Sequence, residues 1–362
     1  MLGKKRGGLE QASLDYAEAL AAANISALTI ISPAAWVEAP MVAAGVPHQS
    51  LPNMARWDML AAWRLRRIAK RTNATAIICH GNRALTLALL AFRFFNGSGL
   101  SADATLAPLK AGSPSSPQPR TTHHAPRIIA VAHNYQIRRF AKADGCLAIT
   151  QHLADHLAAH GAKNIQRMPN MVRIPHVVPH GHFREPPVIG SMGRFVQKKR
   201  FDLYVQALAI LKERGVKFRA ILGGDGEKAD SIRALIKNCE LENHVTMSGW
   251  VRDKAEFFAD IDIFALPSQH EPFGLVLIEA MAYGVPVVTT DAEGPREIVH
   301  DGVDALLTPR GDAQAMADAL EKLIKNEQKA RVMAAAAQVM VTRDYSLAAM
   351  AERLKTALAH LI

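Results

Sequence analysis

The sequence has few cysteines, and their spacing does not suggest a metal site. Cys79, Cys146 and Cys239 are the only three in 362 residues, and they are widely separated. Zinc sites and disulfide frameworks need closely spaced or paired cysteines, so neither is expected. We predict free thiols in a reducing compartment, which indicates a cytoplasmic protein.

Long apolar runs are also missing. The longest, residues 84–92, is far shorter than the ~20 residues that a membrane-spanning helix needs. The amino terminus, MLGKKRGG, passes from basic residues into a glycine turn, not into the apolar core of a secretory signal. With 49% hydrophobic and 21% charged residues, the composition is that of a soluble globular protein.

Acidic residues are scarce in the first half of the chain. Residues 1–187 contain 21 Lys and Arg against 9 Asp and Glu, a net charge of +12, whereas the remainder contains 22 against 24, a net charge of −2. This asymmetry indicates that the first half faces an anionic partner, such as a phosphorylated acceptor, a membrane leaflet or nucleic acid. A basic pattern with two tryptophans, residues 54–71, fits a helix on an anionic membrane, and it equally fits an ordinary solvated helix face.

The chain is long enough for two domains. From residue 188 onwards, short apolar runs alternate with helical patterns, which is typical of βα units and a parallel sheet. The first half alternates in the same way but is interrupted by a Ser/Pro-rich stretch at about residues 96–127, which we expect to be a flexible insertion. We place one domain at 1–187, a second at 188–345, and a last helix at 346–362.

A glycine turn, Gly7-Gly8, leads into the first predicted helix. In a doubly wound domain a strand normally precedes such a turn, but only six residues are available here. The first strand is therefore either absent or encoded upstream of this start.

The second half is organised around residues 270–288, a predicted loop and helix that contain two glutamates. Gly274 would begin a helix and Gly284 would end it. Glu271 then lies ahead of the first turn, at the carboxyl end of a strand, where open α/β sheets bind ligands. Glu279 lies about 12 Å further along if the segment from one glutamate to the other, eight residue steps, is helical. This reach suits a ligand with a sugar at one end and a ribose at the other, and an anion between them would face the unpaired N–H groups of Phe273, Gly274 and Leu275.

Glycine-rich and basic loops follow the first three strands of the second half. Gly190 and Gly193 lie at the end of the first strand, with Arg194 and Lys199 after them, and this pair can neutralise a diphosphate. Two further loops, 223–226 and 249–251, follow the next two strands. Each signal is weak alone, because glycine turns are common.

Taken together, these features resemble one family. The order and spacing of Arg194 with Lys199, the 223–226 turn, Gly249, the Glu271 and Glu279 pair, and 294–297 are similar to those of the retaining glycosyltransferases of family 4. The resemblance covers residues 188–345 most clearly and extends weakly to residues 7–10, 133 and 169–170. It implies a GT-B fold, an α/β architecture of two Rossmann-like domains facing across a cleft.

The resemblance also implies roles for individual residues. Glu279 matches the glutamate that binds the ribose hydroxyls, and Glu271 the one that faces the donor sugar. Arg194 and Lys199 match the pair that stabilises the departing diphosphate, and His133 a histidine beside the donor sugar and acceptor. The remaining expected donor contacts are Gly7, Gly8, Gly224, Val251, Phe273, Gly274 and Leu275.

The implied activity is transfer of a sugar from a nucleoside diphosphate sugar, with retention, to a glycan or phosphorylated glycolipid in lipopolysaccharide or other cell-surface polysaccharide synthesis. The resemblance implies that no metal or other cofactor is needed, and no nucleic acid partner is expected. The protein would act in the cytoplasm, at the inner face of the cytoplasmic membrane if its basic half binds anionic lipid.

Other functions remain open from the sequence. A nucleotide-sugar epimerase would share the donor site and give an isomer without transfer. A sugar-nucleotide-binding protein that has lost catalysis is the other alternative, and the short amino terminus favours it. A dehydrogenase is disfavoured because no glycine fingerprint follows a first strand with an acidic residue about 20 positions on.

Overall fold

The computed structural model describes residues 8–52, 58–94, 125–175 and 181–362. Most of the Ser/Pro-rich stretch predicted as an insertion lies outside these residues, and Arg127 at its end already belongs to a strand. The strands of the described ranges are β1 Thr29–Ile31, β2 His48–Ser50, β3 Ala76–His80, β4 Arg127–Ala132, β5 Gly145–Ala148, β6 Ile165–Arg167, β7 Val188–Met192, β8 Arg219–Gly223, β9 Val245–Gly249, β10 Ile263–Leu266, β11 Val287–Thr290 and β12 Leu306–Thr308.

Helices alternate with these strands, as the periodicity predicts. In chain order they are α1 Gly8–Ala22, α2 Glu38–Ala43, α3 Met59–Arg71, α4 Gly81–Leu89, α5 Gln151–Ala159, α6 Phe201–Glu213, α7 Ala229–Asn238, α8 Lys254–Ala259, α9 Leu275–Ala282, α10 Glu293–Ile298, α11 Ala313–Lys325, α12 Glu327–Tyr345 and α13 Leu347–Leu361. No helix in the described ranges is long and apolar enough to span a bilayer.

The second half forms a six-stranded parallel sheet in the order β12-β11-β10-β7-β8-β9. Every residue of β7, β10 and β11 is buried, as expected for central strands covered by helices on both faces. The strand order reverses between β7 and β10, whose register pairs Ile263 with Ile189. This reversal creates a crevice at the carboxyl ends of β7 and β10, which is where doubly wound sheets bind ligands.

The first half contains a four-stranded parallel sheet, β3-β4-β5-β6, and a separate two-stranded parallel sheet, β1-β2. No described strand precedes α1, so the glycine turn has no strand before it in this part of the chain. The chain passes from the first half to the second between β6 and β7.

The last helix packs on the first half of the molecule. Leu354 and Leu358 of α13 lie in one buried cluster with Tyr16 and Leu20 of α1. A second connection is made at the end of α12, where the Tyr345 carbonyl accepts a hydrogen bond from the Val172 N–H at 2.8 Å.

Several elements differ from the sequence prediction. The apolar run at residues 84–92, which fits a helix, is part of α4, but α4 begins earlier, at Gly81 directly after β3, and continues into a π-helical turn at Leu90–Phe94. The helix predicted from residue 54 begins at Met59, where the Asp58 carboxylate caps the Ala61 N–H at 2.8 Å; residues 53–57 lie outside the described ranges. The sequence patterns gave no prediction of α2, β2, α8, β12 or α12, four of which have six residues or fewer.

Candidate functional site

The loops after β7 and β10 meet at the reversal of strand order. The N–H groups of Gln269 and His270 both donate to the Lys198 carbonyl, at 2.9 and 3.3 Å. The loop after β7 ends in a short 3-10 turn, Gln197–Lys199, which presents Lys199 to the loop after β10. Backbone hydrogen bonds therefore fix the separation of the two loops that carry the predicted diphosphate-binding and sugar-facing residues.

Lys199 and Glu271 form an ion pair across this junction. Both side chains are largely buried, with 19% and 10% of their surfaces exposed. The Ser268 hydroxyl lies 3.4 Å from the same carboxylate oxygen of Glu271. The structure thus brings together the predicted cation, Lys199, and the predicted acid, Glu271, which lie in the loops after the neighbouring strands β7 and β10.

Arg200 follows Lys199 at a position where the family commonly has glycine. Its φ of 49° lies in the left-handed region, which explains a preference for glycine there. The Arg200 side chain is held by Asp202, because its Nε donates to both carboxylate oxygens, at 3.0 and 2.9 Å.

Close backbone packing explains the glycines of the 223–226 turn. A Cβ on Gly224 would lie 1.9 Å from the Gly193 carbonyl oxygen, and one on Gly226 would lie 2.5 Å from that of Phe195. The turn also accepts a hydrogen bond at the Asp225 carbonyl from the Phe195 N–H, at 2.8 Å. The loop that carries Arg194 is therefore held against this turn. The Arg194 side chain is exposed and forms no ion pair with the described residues.

Helix α9 begins at Leu275, and the residue at its amino-terminal cap, Gly274, has no side chain to cap it. Gly274 has φ 102° and ψ 55°, a left-handed conformation in which glycine is the natural residue. With no capping side chain, the first N–H groups of α9 stay free to bind an anion beside Glu271. The Glu271 side chain borders Gly274, because its Cγ lies 3.6 Å from the position that a Cβ on this glycine would occupy.

Helix α10 packs against the loop that carries Glu271. The Glu271 carbonyl accepts from the Gly294 N–H at 2.8 Å, and the Glu271 N–H donates to the Glu293 carboxylate at 3.1 Å. His270 and Arg310 also contact the Glu293 carboxylate, at 3.0 and 3.2 Å. Burial alone would raise the pKa of Glu293, but these hydrogen bonds outweigh burial and lower it. Glu293 is thus a charged support for Glu271.

Glu279, the predicted ribose-binding residue, lies near the end of α9 and pairs with Lys254 at the start of α8. The exposed Trp250 and the half-buried Val251 precede α8 in the loop after β9. Val251 packs over Gly223, because a Cβ on that glycine would lie 2.4 Å from a Val251 methyl group. The predicted ribose and base contacts therefore come from neighbouring loops.

A second cluster lies in the first half, at the ends of β3 and β4. His80 Nδ1 and His133 Nε2 are 3.1 Å apart, and the Tyr16 ring packs edge-on against His80 with ring centroids 4.7 Å apart. Burial lowers the pKa of His133 to about 4. Burial, followed by the neighbouring His133, lowers the pKa of His80 as well. Both rings are therefore neutral near pH 7, and one shares its proton with the other.

Asp15 of α1 connects the first half electrostatically to Glu279. Burial raises the Asp15 pKa to about 6; the hydrogen bond from Gln11 and the charge of Arg173 oppose this, while the charges of Glu18 and Glu279 add to it. The charge of Glu279 is the smallest of these influences, and it indicates only that α1 lies within electrostatic range of α9.

The structure places the predicted residues in two groups. Lys199, Glu271 and Gly274 lie together, with Glu279 further along α9, whereas His133 lies with His80 and Tyr16. Gly8 begins α1, and Gly7 lies outside the described residues. Sequence reasoning missed Glu293 and Lys254, whose roles as partners depend on how separate loops approach. The only available signal was that both lie shortly after apolar runs that become strands of the same sheet.

Family models match both halves of the chain. The model described as Glycosyltransferase Family 4 matches residues 6–175, and that described as Glycosyl transferases group 1 matches residues 174–340. The chain belongs to the family 4 glycosyltransferases. Its α/β architecture is the predicted GT-B fold, with structural neighbours among glycosyltransferases.

The curated relatives match part of this glycosyltransferase. The lipopolysaccharide core biosynthesis glycosyltransferase LpsE of Rhizobium meliloti (strain 1021) is 39% identical over 140 residues, which are 39% of this chain and 40% of the relative. The poly(ribitol-phosphate) alpha-N-acetylglucosaminyltransferase of Staphylococcus aureus (strain COL) is 29% identical over 226 residues, 61% of this chain and 45% of the relative. The matched segments thus span less than half the length of either relative.

Solved structures match this chain over almost its whole length. Anabaena Alr3699/HepE in complex with UDP has a TM-score of 0.77 and 21% identity, and the match covers 99% of this chain and 98% of that one. The apo form of the lipopolysaccharide outer core galactosyltransferase WaaB has a TM-score of 0.73 and 18% identity, with 100% and 98% covered. At these identities the likeness establishes the fold.

Proposed function

We propose that the protein transfers a hexose from a nucleoside diphosphate sugar, with retention, to a glycan or phosphorylated glycolipid acceptor. The observation that carries this proposal is the junction of Lys199 with Glu271 at the reversal of strand order, next to the uncapped start of α9. A cation, an acid and free N–H groups are thereby available to the pyrophosphate and the sugar of one donor.

The cations stabilise the leaving group. As the bond between the anomeric carbon and the diphosphate breaks, negative charge develops on the diphosphate oxygens. Lys199, paired with Glu271, and the first N–H groups of α9 are fixed in place before this charge appears, so little reorganisation is needed, and the exposed Arg194 adds a second cation from the same loop as Lys199. In this proposal they perform the function that a metal ion has in other transferases, and no metal is required.

Glu271 positions the sugar, and the acceptor hydroxyl attacks from the face that the diphosphate leaves. Attack on that face retains the anomeric configuration without a separate base, because the departing diphosphate accepts the hydroxyl proton. Glu293 supports Glu271 through its backbone N–H. His133, neutral near pH 7, serves as a hydrogen-bonding group beside the sugar and the acceptor.

The acceptor side of the proposal rests on the basic first half. In α3, Leu60 and Trp63 are about half exposed on the outer face, and the Arg67 guanidinium lies 5.7 Å from the Trp63 ring centroid. A basic face with exposed apolar residues suits the surface of an anionic membrane. The naming of LpsE and WaaB for lipopolysaccharide synthesis supports a phosphorylated glycolipid acceptor in cell-surface polysaccharide synthesis.

A donor screen followed by product analysis tests the proposal. Thermal unfolding is measured with UDP-, GDP- and ADP-sugars, because a ligand that binds the folded state raises the melting temperature. The donor that binds is then incubated with glycolipid extract, and the anomeric configuration of the product is determined by NMR. We expect an α-linked product from an α-linked donor. An inverted product would refute retention, and an isomerised donor without transfer would indicate an epimerase.

Membrane contact is tested separately with vesicles. Co-sedimentation with phosphatidylglycerol vesicles should decrease as salt is raised, because the attraction is screened. A matched variant, Trp63→Ala with Arg67→Ala, should bind less while keeping its melting temperature. Binding that is insensitive to both anionic lipid and salt would contradict membrane contact and leave the transfer reaction untouched.

A further inference from the structure

The carboxyl ends of the two large sheets face each other across the molecule. Gln151 and His152 come shortly after β5, and their N–H groups donate to the Glu297 carboxylate at 2.6 and 2.7 Å. Glu297 lies on α10, which follows the carboxyl end of β11. The loop after β4, the neighbour of β5, begins at the same edge of its sheet, because parallel strands share their carboxyl edge.

Tyr135 is the tyrosine of this loop. Its hydroxyl lies 2.8 Å from His152 Nδ1, and its ring is perpendicular to the rings of His152 and His156, with centroids 5.5 and 5.2 Å away. The loop is also tied to α4, because the Asn82 side chain donates to the Gln136 carbonyl at 2.6 Å. The half-buried Tyr135 side chain is therefore held in place without a ligand.

The charges that act on Tyr135 come from the second half. Burial raises the pKa of its hydroxyl to about 12, and the charges of Glu293 and Glu297 add to this effect. The cations that pair with these carboxylates, Arg310 and Arg167, do not offset it. The hydroxyl is therefore protonated near pH 7 and lies within electrostatic range of α10, the helix that supports the sugar-facing loop.

This environment suits a neutral sugar better than a phosphate. A protonated phenol bonded to one imidazole keeps hydrogen-bonding capacity for a sugar hydroxyl, and its ring offers an apolar surface to the C–H groups of a pyranose. A phosphate beside the same hydroxyl would be repelled by the Glu293 and Glu297 carboxylates. The phosphate groups of a glycolipid acceptor should therefore lie away from Tyr135.

We propose that Tyr135 binds the acceptor sugar that carries the attacking hydroxyl, and that this sugar is uncharged. The proposal rests on the proposed function, in which donor sugar and acceptor meet beside His133, two residues before Tyr135. His152 is a positioning residue, because its ring orients the Tyr135 hydroxyl while its N–H connects the same side of the cleft to α10.

Binding is tested without activity by fluorine NMR. The full chain is labelled with 3-fluorotyrosine, and its five tyrosines give five signals, of which the one missing from Tyr135→Phe belongs to Tyr135. The nucleotide selected by the donor screen is added first, and then methyl glycosides of neutral hexoses or the corresponding hexose 6-phosphates. We expect the neutral glycosides to shift the Tyr135 signal and to leave that of Tyr204, fully buried in the second half, unchanged.

Transfer kinetics give a second readout. Tyr135→Phe keeps the ring and loses the hydroxyl, so KM for a methyl glycoside acceptor should rise roughly three- to tenfold, while the donor KM and the melting temperature are retained. Tyr135→Ala also loses the apolar surface and should raise the acceptor KM further. Tyr283→Phe, which removes a hydroxyl at the end of α9, is the matched control and should leave the acceptor KM unchanged.

Three outcomes would overturn the proposal: a Tyr135 signal that no neutral glycoside moves, a larger movement with the hexose phosphates, or an acceptor KM in Tyr135→Phe equal to that of the parent chain. Failure of the proposed function gives a different result. In that case no sugar nucleotide raises the melting temperature and no variant transfers sugar, whereas the response of Tyr135 to neutral glycosides needs no turnover and would still identify it as a sugar contact.

Discussion

The Glu279 carboxylate is paired with Lys254, and in the proposed function the ribose of the donor would compete with this lysine for the carboxylate. Exchanging the Lys254 contact for hydroxyl groups costs little, because Lys254 is 44% exposed and returns to water. Lys254 thus holds Glu279 in position, and it would not prevent the proposed ribose binding.

We predict that Glu279→Ala abolishes the thermal shift produced by the donor. Loss of hydrogen bonds from ribose hydroxyls to a carboxylate should weaken donor binding by roughly tenfold or more, since such bonds contribute about 1.5–3 kcal/mol. The measurement is the melting temperature against donor concentration. Lys254→Ala should retain a clear shift, and so should Glu321→Ala, which removes an ion pair on α11. A normal shift in Glu279→Ala would contradict the ribose role.

The buried histidine pair predicts how stability depends on pH. The His133 pKa falls from about 6.5 to about 4 on folding, so the unfolded chain binds more protons between these values. Stability is therefore unaffected above about pH 6.5 and decreases as pH falls towards 4, by up to roughly 3 kcal/mol for this one residue.

His133→Gln should flatten this dependence. Urea unfolding at pH 7.5 and pH 4.5 gives the loss of stability on acidification, which we expect to be smaller in the variant than in the parent chain. His360→Gln, an exposed change at the end of α13, serves as the control and should leave the loss unchanged. An identical loss in parent and His133→Gln would mean that the His133 ring is not buried as a neutral group.

At the scale of elements, α10 depends on one glycine. A Cβ on Gly294 would lie 2.2 Å from the Phe273 carbonyl oxygen and 2.4 Å from its Cα, both backbone atoms that cannot rotate away. Gly294→Ala must therefore displace α10 from the loop that holds Glu271. We predict a loss of stability of about 1–3 kcal/mol and weaker donor binding.

A matched substitution separates this effect from a general effect of alanine. Gly181 has no heavy atom within 4 Å of the position that a Cβ would occupy, so Gly181→Ala should be close to neutral. The comparison uses urea unfolding and donor titration on both variants. If Gly294→Ala matched Gly181→Ala in both measurements, the packing of α10 on Phe273 would not support the site.

The elements that can be predicted from the sequence are those with a strong hydrophobic pattern or with glycine residues at their ends. β10, α9 and β11 follow from two apolar runs separated by a segment bounded by Gly274 and Gly284. The strands β2 and β12, which were not predicted, have only three residues each, too few to show a period of two. Their existence depends on pairing with distant strands, which single-sequence patterns do not contain.

The same reasoning applies to the candidate site. Lys199 and Glu271 could be expected to meet, because each follows a strand of one parallel sheet and carboxyl ends share an edge. The support from Glu293 could not be expected, because it depends on the close approach of α10 to Phe273. The pairing of Glu279 with Lys254 likewise depends on the position of α8 relative to α9.

At the scale of the whole molecule, Glu297 connects the second half to the first. It lies on α10, and its carboxylate oxygens accept from the N–H groups of Gln151 and His152, at 2.6 and 2.7 Å, at the start of α5 in the first half. Arg167 lies 3.7 Å from the same carboxylate. A carboxylate at a helix amino terminus is favoured by free N–H groups and by the helix dipole. Because α10 also contacts the Glu271 loop, this bridge joins the candidate donor site to the opposite half.

Glu297→Ala should weaken this connection without unfolding α5, whose Thr150 cap on the Leu153 N–H is retained. We expect a stability loss of about 1 kcal/mol and a larger radius of gyration by small-angle X-ray scattering, because the halves separate more often. Looser closure should also admit water, so hydrolysis of the donor should rise relative to transfer. Glu321→Ala, whose ion pairs stay within the second half, is the control. An unchanged radius together with an unchanged ratio of hydrolysis to transfer would show that Glu297 caps a helix and does nothing for closure.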